Sequence, residues 1–239
     1  MIKNVEILRG SERGKDIYVV GSGSSIDRIP DSFWHGKITV GVNFVFERVP
    51  CKYTVCHHYK QLQTIIDTKK TICITSKADT CIIADGTIGI GIRGTKTWWH
   101  NDIQPKVKDP KANRPLDTYL TGDYYWYKHQ NQTFTIIDLS VFDEIGYLTA
   151  GGTITTSAIH FAYLLGAKNI FLVGVDGGEL DARINFAGDR TPTPLAHMVN
   201  VQPQLEEISN FIREKGIPVM SINPFINFTL EGIKFRSHD

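Results

Sequence analysis

Charge of one sign is what this 239-residue chain conspicuously lacks: 26 Lys and Arg stand against 25 Asp and Glu, a formal charge of +1. The basic residues are also spread along the chain, so the usual electrostatic driver for wrapping duplex nucleic acid or an anionic membrane is missing. Cysteine is scarce too. The four residues Cys51, Cys56, Cys73 and Cys81 are too few for a disulfide scaffold, and all lie in or beside β-branched runs. They read as reduced core thiols. A metal site from Cys51, Cys56, His57 and His58 would lack the tight Cys-x-x-Cys turns that zinc sites commonly use. No run approaches the ~20 apolar residues of a membrane span, and Met1–Glu6 has no apolar signal core. A cytoplasmic protein is expected. What is present is ordinary for a globular chain: 41% apolar and 21% charged residues. The length suits one large domain over residues 1–239, burying about 70–75% of its unfolded surface.

Short apolar runs recur with loop or helical segments between them. Asp16–Gly21, Lys37–Val42, Tyr53–Cys56 and Thr71–Thr75 read as buried strands, and Tyr59–Asp67 has the helical spacing Leu62, Ile65, Ile66. In the second half, Ile154, Ala158, Phe161, Ala162 and Leu165 fall on one helix face, with Gly166 placed for a left-handed cap. Asn169–Val175 follows as a continuous apolar strand, as expected when both sheet faces are covered. A helix through Leu205, Ile208, Phe211 and Ile212 leads to the Gly216 cap and the strand Ile217–Ile222, where Pro218 favours a sheet edge or a strand start. This order predicts an α/β fold, a Rossmann-like, doubly wound and mostly parallel sheet. Residues 88–132 break the alternation with Trp98, Trp99, Tyr124, Tyr125, Trp126 and Tyr127, and are read as an aromatic-rich lid insertion over the carboxyl edge. Residues 1–12 and 233–239 are read as frayed ends.

Chemistry is sought where strands end in small residues. Gly21, Ser22, Gly23, Ser24 and Ser25 follow the first strand, where backbone N–H groups can approach a phosphate and hydroxyls add donors. The loop lacks the third glycine of Gly-x-Gly-x-x-Gly and the Lys-Ser/Thr of a P-loop. A second candidate is Gly151, Gly152 and Thr153, at the start of a helix whose dipole favours an anion. Asp176, after the Phe171–Val175 run, could accept from ribose hydroxyls, hold a metal or cap Gly177-Gly178, and these readings stand side by side. His197, read as lying on a loop before the Leu205 helix, suits general acid–base work. Asn43 offers a further amide at the same edge, and His57 and His58 end the third strand.

These residues carry a resemblance. A strand into Gly-Ser-Gly-Ser-Ser, Val42-Asn43-Phe44 after the second strand, and the later Leu165-Gly-Ala-Lys-Asn-Ile-Phe-Leu-Val-Gly-Val-Asp176 resemble bacterial sialyltransferases of glycosyltransferase family 42. The pattern is also similar to the superfamily of archaeal 6-hydroxymethylpterin diphosphokinase and flagellin-modifying glycosyltransferases. The first resemblance implies an inverting sugar transfer from a CMP-type donor with no cofactor required. Gly21, Gly23 and Ser25 would face the donor phosphate, Asn43 the donor, Gly151-Gly152 the cytidine nucleotide, and His197 would be the general base. The family has a Ser-Gly pair where this chain has Gly151-Gly152. It also has tyrosines near its base; Thr191–Met198 has none, which leaves Tyr124, Tyr125 and Tyr127 as substitutes. The diphosphokinase resemblance implies ATP with Mg²⁺ on Asp176 and Asp189, and Trp98 or Trp99 stacked on a pterin. A third reading is a nucleotide-binding module without turnover. The partners implied are a nucleotide-activated small-molecule donor, a glycan or small-molecule acceptor, and a second copy of the chain in a homo-oligomer.

Overall fold

The structure, a computed structural model, describes residues 2–56, 59–76, 80–84, 87–91, 113–114, 122–128, 137–176, 185–187, 195–222, 229–230 and 233–234. Strands β1 (Ile2–Asn4), β2 (Asp16–Val20), β3 (Ile38–Val42), β4 (Tyr53–Val55) and β5 (Ile72–Ser76) come from the first third of the chain. Helix α1 (Tyr59–Thr68) connects β4 to β5. Three further strands, β6 (Thr80–Ala84), β7 (Thr87–Gly91) and β8 (Asn113–Arg114), form a separate small antiparallel sheet. Then come β9 (Tyr124–Tyr127), α2 (Ile154–Leu164), β10 (Asn169–Val173), α3 (Leu195–Glu214), β11 (Val219–Ser221) and the hairpin β12 (Thr229–Leu230) and β13 (Ile233–Lys234).

The main sheet has eight strands in the order β1-β9-β5-β4-β3-β2-β10-β11, and every neighbouring pair is parallel. This is the open, parallel α/β sheet expected from the alternation of apolar runs. From β2 the chain first winds one way, through β3, β4 and β5. It later returns to the other flank of β2 as β10 and β11, so the direction reverses between β2 and β10. Crevices of this kind open outside the carboxyl ends of the strands. The two central strands are paired over five residues, Asp16–Val20 against Asn169–Val173.

Burial explains the sequence pattern. Ile17, Val19, Val20, Ile170, Leu172 and Val173 are all fully buried. Helix α2 packs on β2, β3, β4 and β10 and also against α3, and Thr155–Ala162 are buried without interruption. A helix buried in this way reads apolar or small on most of its sides. Gly166 and Gly216 take positive φ (+86° and +87°) as the caps their positions suggested. Leu205, Ile208 and Ile212 form the buried face of α3, and β11 is an edge strand preceded by Pro218.

Two expectations need correction. The amino terminus is no frayed end: Ile2–Asn4 pair with Tyr124–Trp126, Val5 is fully buried, and Asn4 Oδ1 caps the following turn by accepting from Glu6 N (2.8 Å). The aromatic segment also ends earlier than read. Tyr124–Tyr127 are a strand of the main sheet between β1 and β5, with Tyr124 and Tyr127 buried. Aromatic residues serve a pleated, covered surface as readily as a lid. Trp98, Trp99 and the rest of the supposed lid lie outside the described residues, apart from the short strands β7 and β8.

Candidate nucleotide site

Beyond β2 the chain must pass close to the end of β10, and the glycines make this feasible. A Cβ on Gly21 would collide with Gly174 O, and one on Gly23 would collide with Asp176 Cγ. Gly174 itself sits at φ +64°, a conformation glycine tolerates. The loop is then laced to β10: Gly21 N donates to Val173 O (2.8 Å), Gly23 N to Gly174 O (2.7 Å) and Ser25 N to Asp176 Oδ2 (2.8 Å). Ser25 Oγ adds a 2.5 Å bond to Asp176 Oδ1. Asp176 is 2% exposed, so these bonds meet the requirement of a buried carboxylate for donors.

Three of the amides offered by sequence for a phosphate are therefore engaged within the protein. The backbone of Asn185–Ala187 lies across the same loop. Asn185 bridges Gly23, Phe186 N donates to Ser22 O (2.9 Å), and Ala187 N donates to Asp27 Oδ2 (2.8 Å). Phe186 is buried there. Next to β2, at the end of β3, Asn43 adopts φ +51°, a left-handed conformation that asparagine reaches more easily than most residues. Its N–H donates to Val55 O (3.1 Å), and its Oδ1 accepts from Cys56 Sγ (3.7 Å).

Helix α2 runs back from the carboxyl edge to the amino edge, where Gly10 N and Glu12 N donate to Leu164 O and Leu165 O. Its first turn therefore stands at the carboxyl edge. Thr153 is the N-cap, its Oγ1 accepting from Thr155 N (3.3 Å). The preceding glycines are engaged as well. Gly151 N donates to Thr156 Oγ1 (3.0 Å) and Gly152 N to Gln204 Oε1 (2.6 Å). A Cβ on Gly151 would overlap that oxygen, so glycine there makes room for Gln204.

His197 is in a helix, not on a loop: α3 begins at Leu195. Pro203 lies inside α3. The helix continues on both sides of it, and His197 occupies the first turn. Since α3 follows β10 and precedes β11, that turn too stands at the carboxyl edge. The topology thus gathers Gly21–Ser25, Asn43, Gly151–Thr153, Asp176 and His197 at one edge. It does not bring Tyr124, Tyr125 or Tyr127 there: β9 is four strand positions from β2, roughly 19 Å at the usual spacing.

Residues the sequence reading passed over matter more than some it singled out. Gln204, 1% exposed, and Ser209, fully buried, are the polar residues on the α3 face formed with Val201, Leu205, Ile208 and Ile212. His160, also 1% exposed, stacks on Phe142 (3.9 Å between centroids) and accepts at Nδ1 from Thr149 N (2.8 Å). Burial pushes its pKa down to about 3, so it is a neutral core group. No sequence pattern distinguished it from a surface histidine.

Cys51, Cys56 and Cys73 are buried, and burial pushes the Cys51 thiol up to about 12 and the Cys73 thiol up as well. Such thiols pack as small apolar groups. Among the described residues no three His, Cys, Asp or Glu side chains cluster as metal ligands. His57, His58, Asp189 and the Cys81 side chain lie outside them. No helix of the described residues is long and apolar enough to cross a membrane.

No family model matches the chain, and no curated protein matches it. Among solved structures, the chain is similar to the MAf glycosyltransferase from Magnetospirillum magneticum AMB-1, at 13% identity and a TM-score of 0.48. The match covers 98% of this chain and 38% of that one, so the chain spans well under half of that neighbour's length.

Proposed function

We propose that this chain is a glycosyltransferase that uses a nucleotide-activated sugar of the CMP type. The observation that carries the reading is the convergence of Gly21–Ser25, Asn43 and Asp176 on the strand ends where the sheet reverses direction, with the first turns of α2 and α3 at the same edge. Ligands of open parallel sheets bind at that point. The sequence resemblance to sialyltransferases supplies the chemical class.

Because Gly21, Gly23 and Ser25 direct their amides to β10 and the carboxylate beyond it, they act in this proposal as a preformed floor. Ser22, Asn43 and Thr153 bring polar groups to the donor, and the first turn of α2 turns the positive end of its dipole toward it. In the transfer, an acceptor hydroxyl attacks the anomeric carbon as the bond from that carbon to the phosphate oxygen breaks. His197 takes the hydroxyl proton, and the nucleotide leaves with the electron pair. General-base catalysis of this kind contributes ~10²–10⁴-fold.

The test is a thermal-shift panel of CMP, UDP, GDP and ATP, each with and without Mg²⁺. A ligand at 100 times its Kd adds about 2.7 kcal/mol of apparent stability. CMP is expected to stabilise without metal; stabilisation by Mg²⁺–ATP alone would replace this reading with a phosphoryl transferase. His197→Ala is expected to lower sugar transfer by ~10²-fold or more while CMP binding persists. Full turnover in that variant would remove His197 from the mechanism.

A further inference from the structure

Gln204 stands where packing alone would place a leucine. Its neighbours on the inward face of α3 are Val201, Leu205, Ile208, Ser209 and Ile212, all buried, and it is itself 1% exposed. A buried amide is costly unless it is hydrogen-bonded, and this one directs its oxygen to Gly152 N at 2.6 Å. The receiving surface is shaped for it, since any side chain at position 151 would collide with Gln204 Oε1. Gly151 N and Thr156 Oγ1 complete the brace, with Thr156 Oγ1 donating in turn to Thr153 O (2.7 Å).

The residue before it sharpens the point. Pro203 has no N–H, so the carbonyl four residues earlier, at Val199, loses its usual helical partner. The ladder of α3 is thus weakened between Leu195–Gln202, which carries His197 and buries Val201, and Gln204–Glu214, which buries Leu205, Ile208 and Ile212. Gln204 is the first residue after the proline. It lies seven residues, about two turns, after position 197, and so close to the same angular position on the helix.

We propose that Gln204 is a positioning residue: through Gly152 it fixes the start of α2 against α3 and so sets where the first turn of α3 presents His197. This rests on the reading of Gly151–Thr153 and His197 given under Proposed function, and deepens it by joining the nucleotide end and the base end of the site in one brace.

The experiment compares wild type, Gln204→Leu, which keeps the volume, and Gln204→Glu, which keeps an acceptor oxygen. Two quantities are read: the affinity for CMP by calorimetry, and the ring Cε1–Hε1 resonance of His197 by NMR, assigned with His197→Asn. The expected result is about tenfold weaker CMP binding in Gln204→Leu, the equivalent of one hydrogen bond. The His197 resonance should shift in the same variant, and Gln204→Glu should restore both. A role confined to stability would leave the His197 resonance in place, and an unshifted resonance in folded Gln204→Leu overturns the proposal. Should wild type bind no nucleotide, the donor-site reading fails by itself; the His197 resonance then decides the coupling alone, a shift in Gln204→Leu supporting it and no shift overturning it.

Discussion

At the amino edge of the sheet Glu12, 1% exposed, accepts from Lys15 Nζ (3.0 Å), Lys52 Nζ and Tyr53 Oη (2.9 Å). At the carboxyl edge Asp176, 2% exposed, accepts from the amide and hydroxyl of Ser25. Both carboxylates tie together segments distant in sequence. Burial raises the Glu12 pKa, but hydrogen bonds from Lys52, Lys15 and Tyr53 outweigh it and hold the group below its ordinary value. That edge is a staple closed by opposite charge, and an open cleft of about 500 Å³ nearby, between His35, Arg48 and Lys70, stands away from the strand ends where the loops meet. The Asp176 edge is held instead by small residues and backbone bonds. One edge is closed by opposite charge, the other by amides and a hydroxyl.

The sharpest way to break this contrast is Gly23→Ala. The added methyl would overlap Asp176 and Gly174 O, and is expected to cost about 3 kcal/mol in denaturant unfolding. It should also abolish nucleotide-induced stabilisation. A loss below about 0.5 kcal/mol would show that the two loops are not held as closely as described. Glu12→Gln tests the other edge and is expected to cost about 2 kcal/mol. That is less than a fully buried pair because Lys15 and Lys52 are half exposed and can turn to water. Nucleotide binding should be unaffected; if it weakens, the edges are not independent.

The third test concerns neither edge but the core between them. Native His160 stays neutral down to about pH 3, whereas an unfolded imidazole takes up a proton near pH 6.5. Below pH 6.5 the unfolded state therefore binds the extra proton, and stability falls with pH by about 1.4 kcal/mol per unit from this group. Unfolding curves at pH 7 and pH 5 should show that slope in wild type. A His160→Gln protein with the same slope would mean that other groups carry it.

The sheet was legible because its strands are buried on both faces and so spell continuous apolar runs, as in Ile17–Val20 and Ile170–Val173. The caps at Gly166 and Gly216 were legible for the same local reason. Tyr124–Tyr127 misled because an aromatic cluster does not itself say whether it is paired. In the site, the positions of Gly21–Ser25 and Asp176 at strand ends followed from the sequence, but their bonding to each other did not. Such a contact spans 151 residues and leaves no local trace.

That separation bears on how the protein is made. Strand β2 leaves the ribosome roughly 150 residues before its partner β10 and the carboxylate that engages Ser25. Closing so long a loop costs on the order of 4 kcal/mol of chain entropy before any contact offsets it, and parallel pairing of distant strands is intrinsically slow. One flank of β2, an apolar edge able to pair with other chains, thus stays open while the intervening chain is synthesised. The crevice at its end is among the last parts of the sheet to be completed.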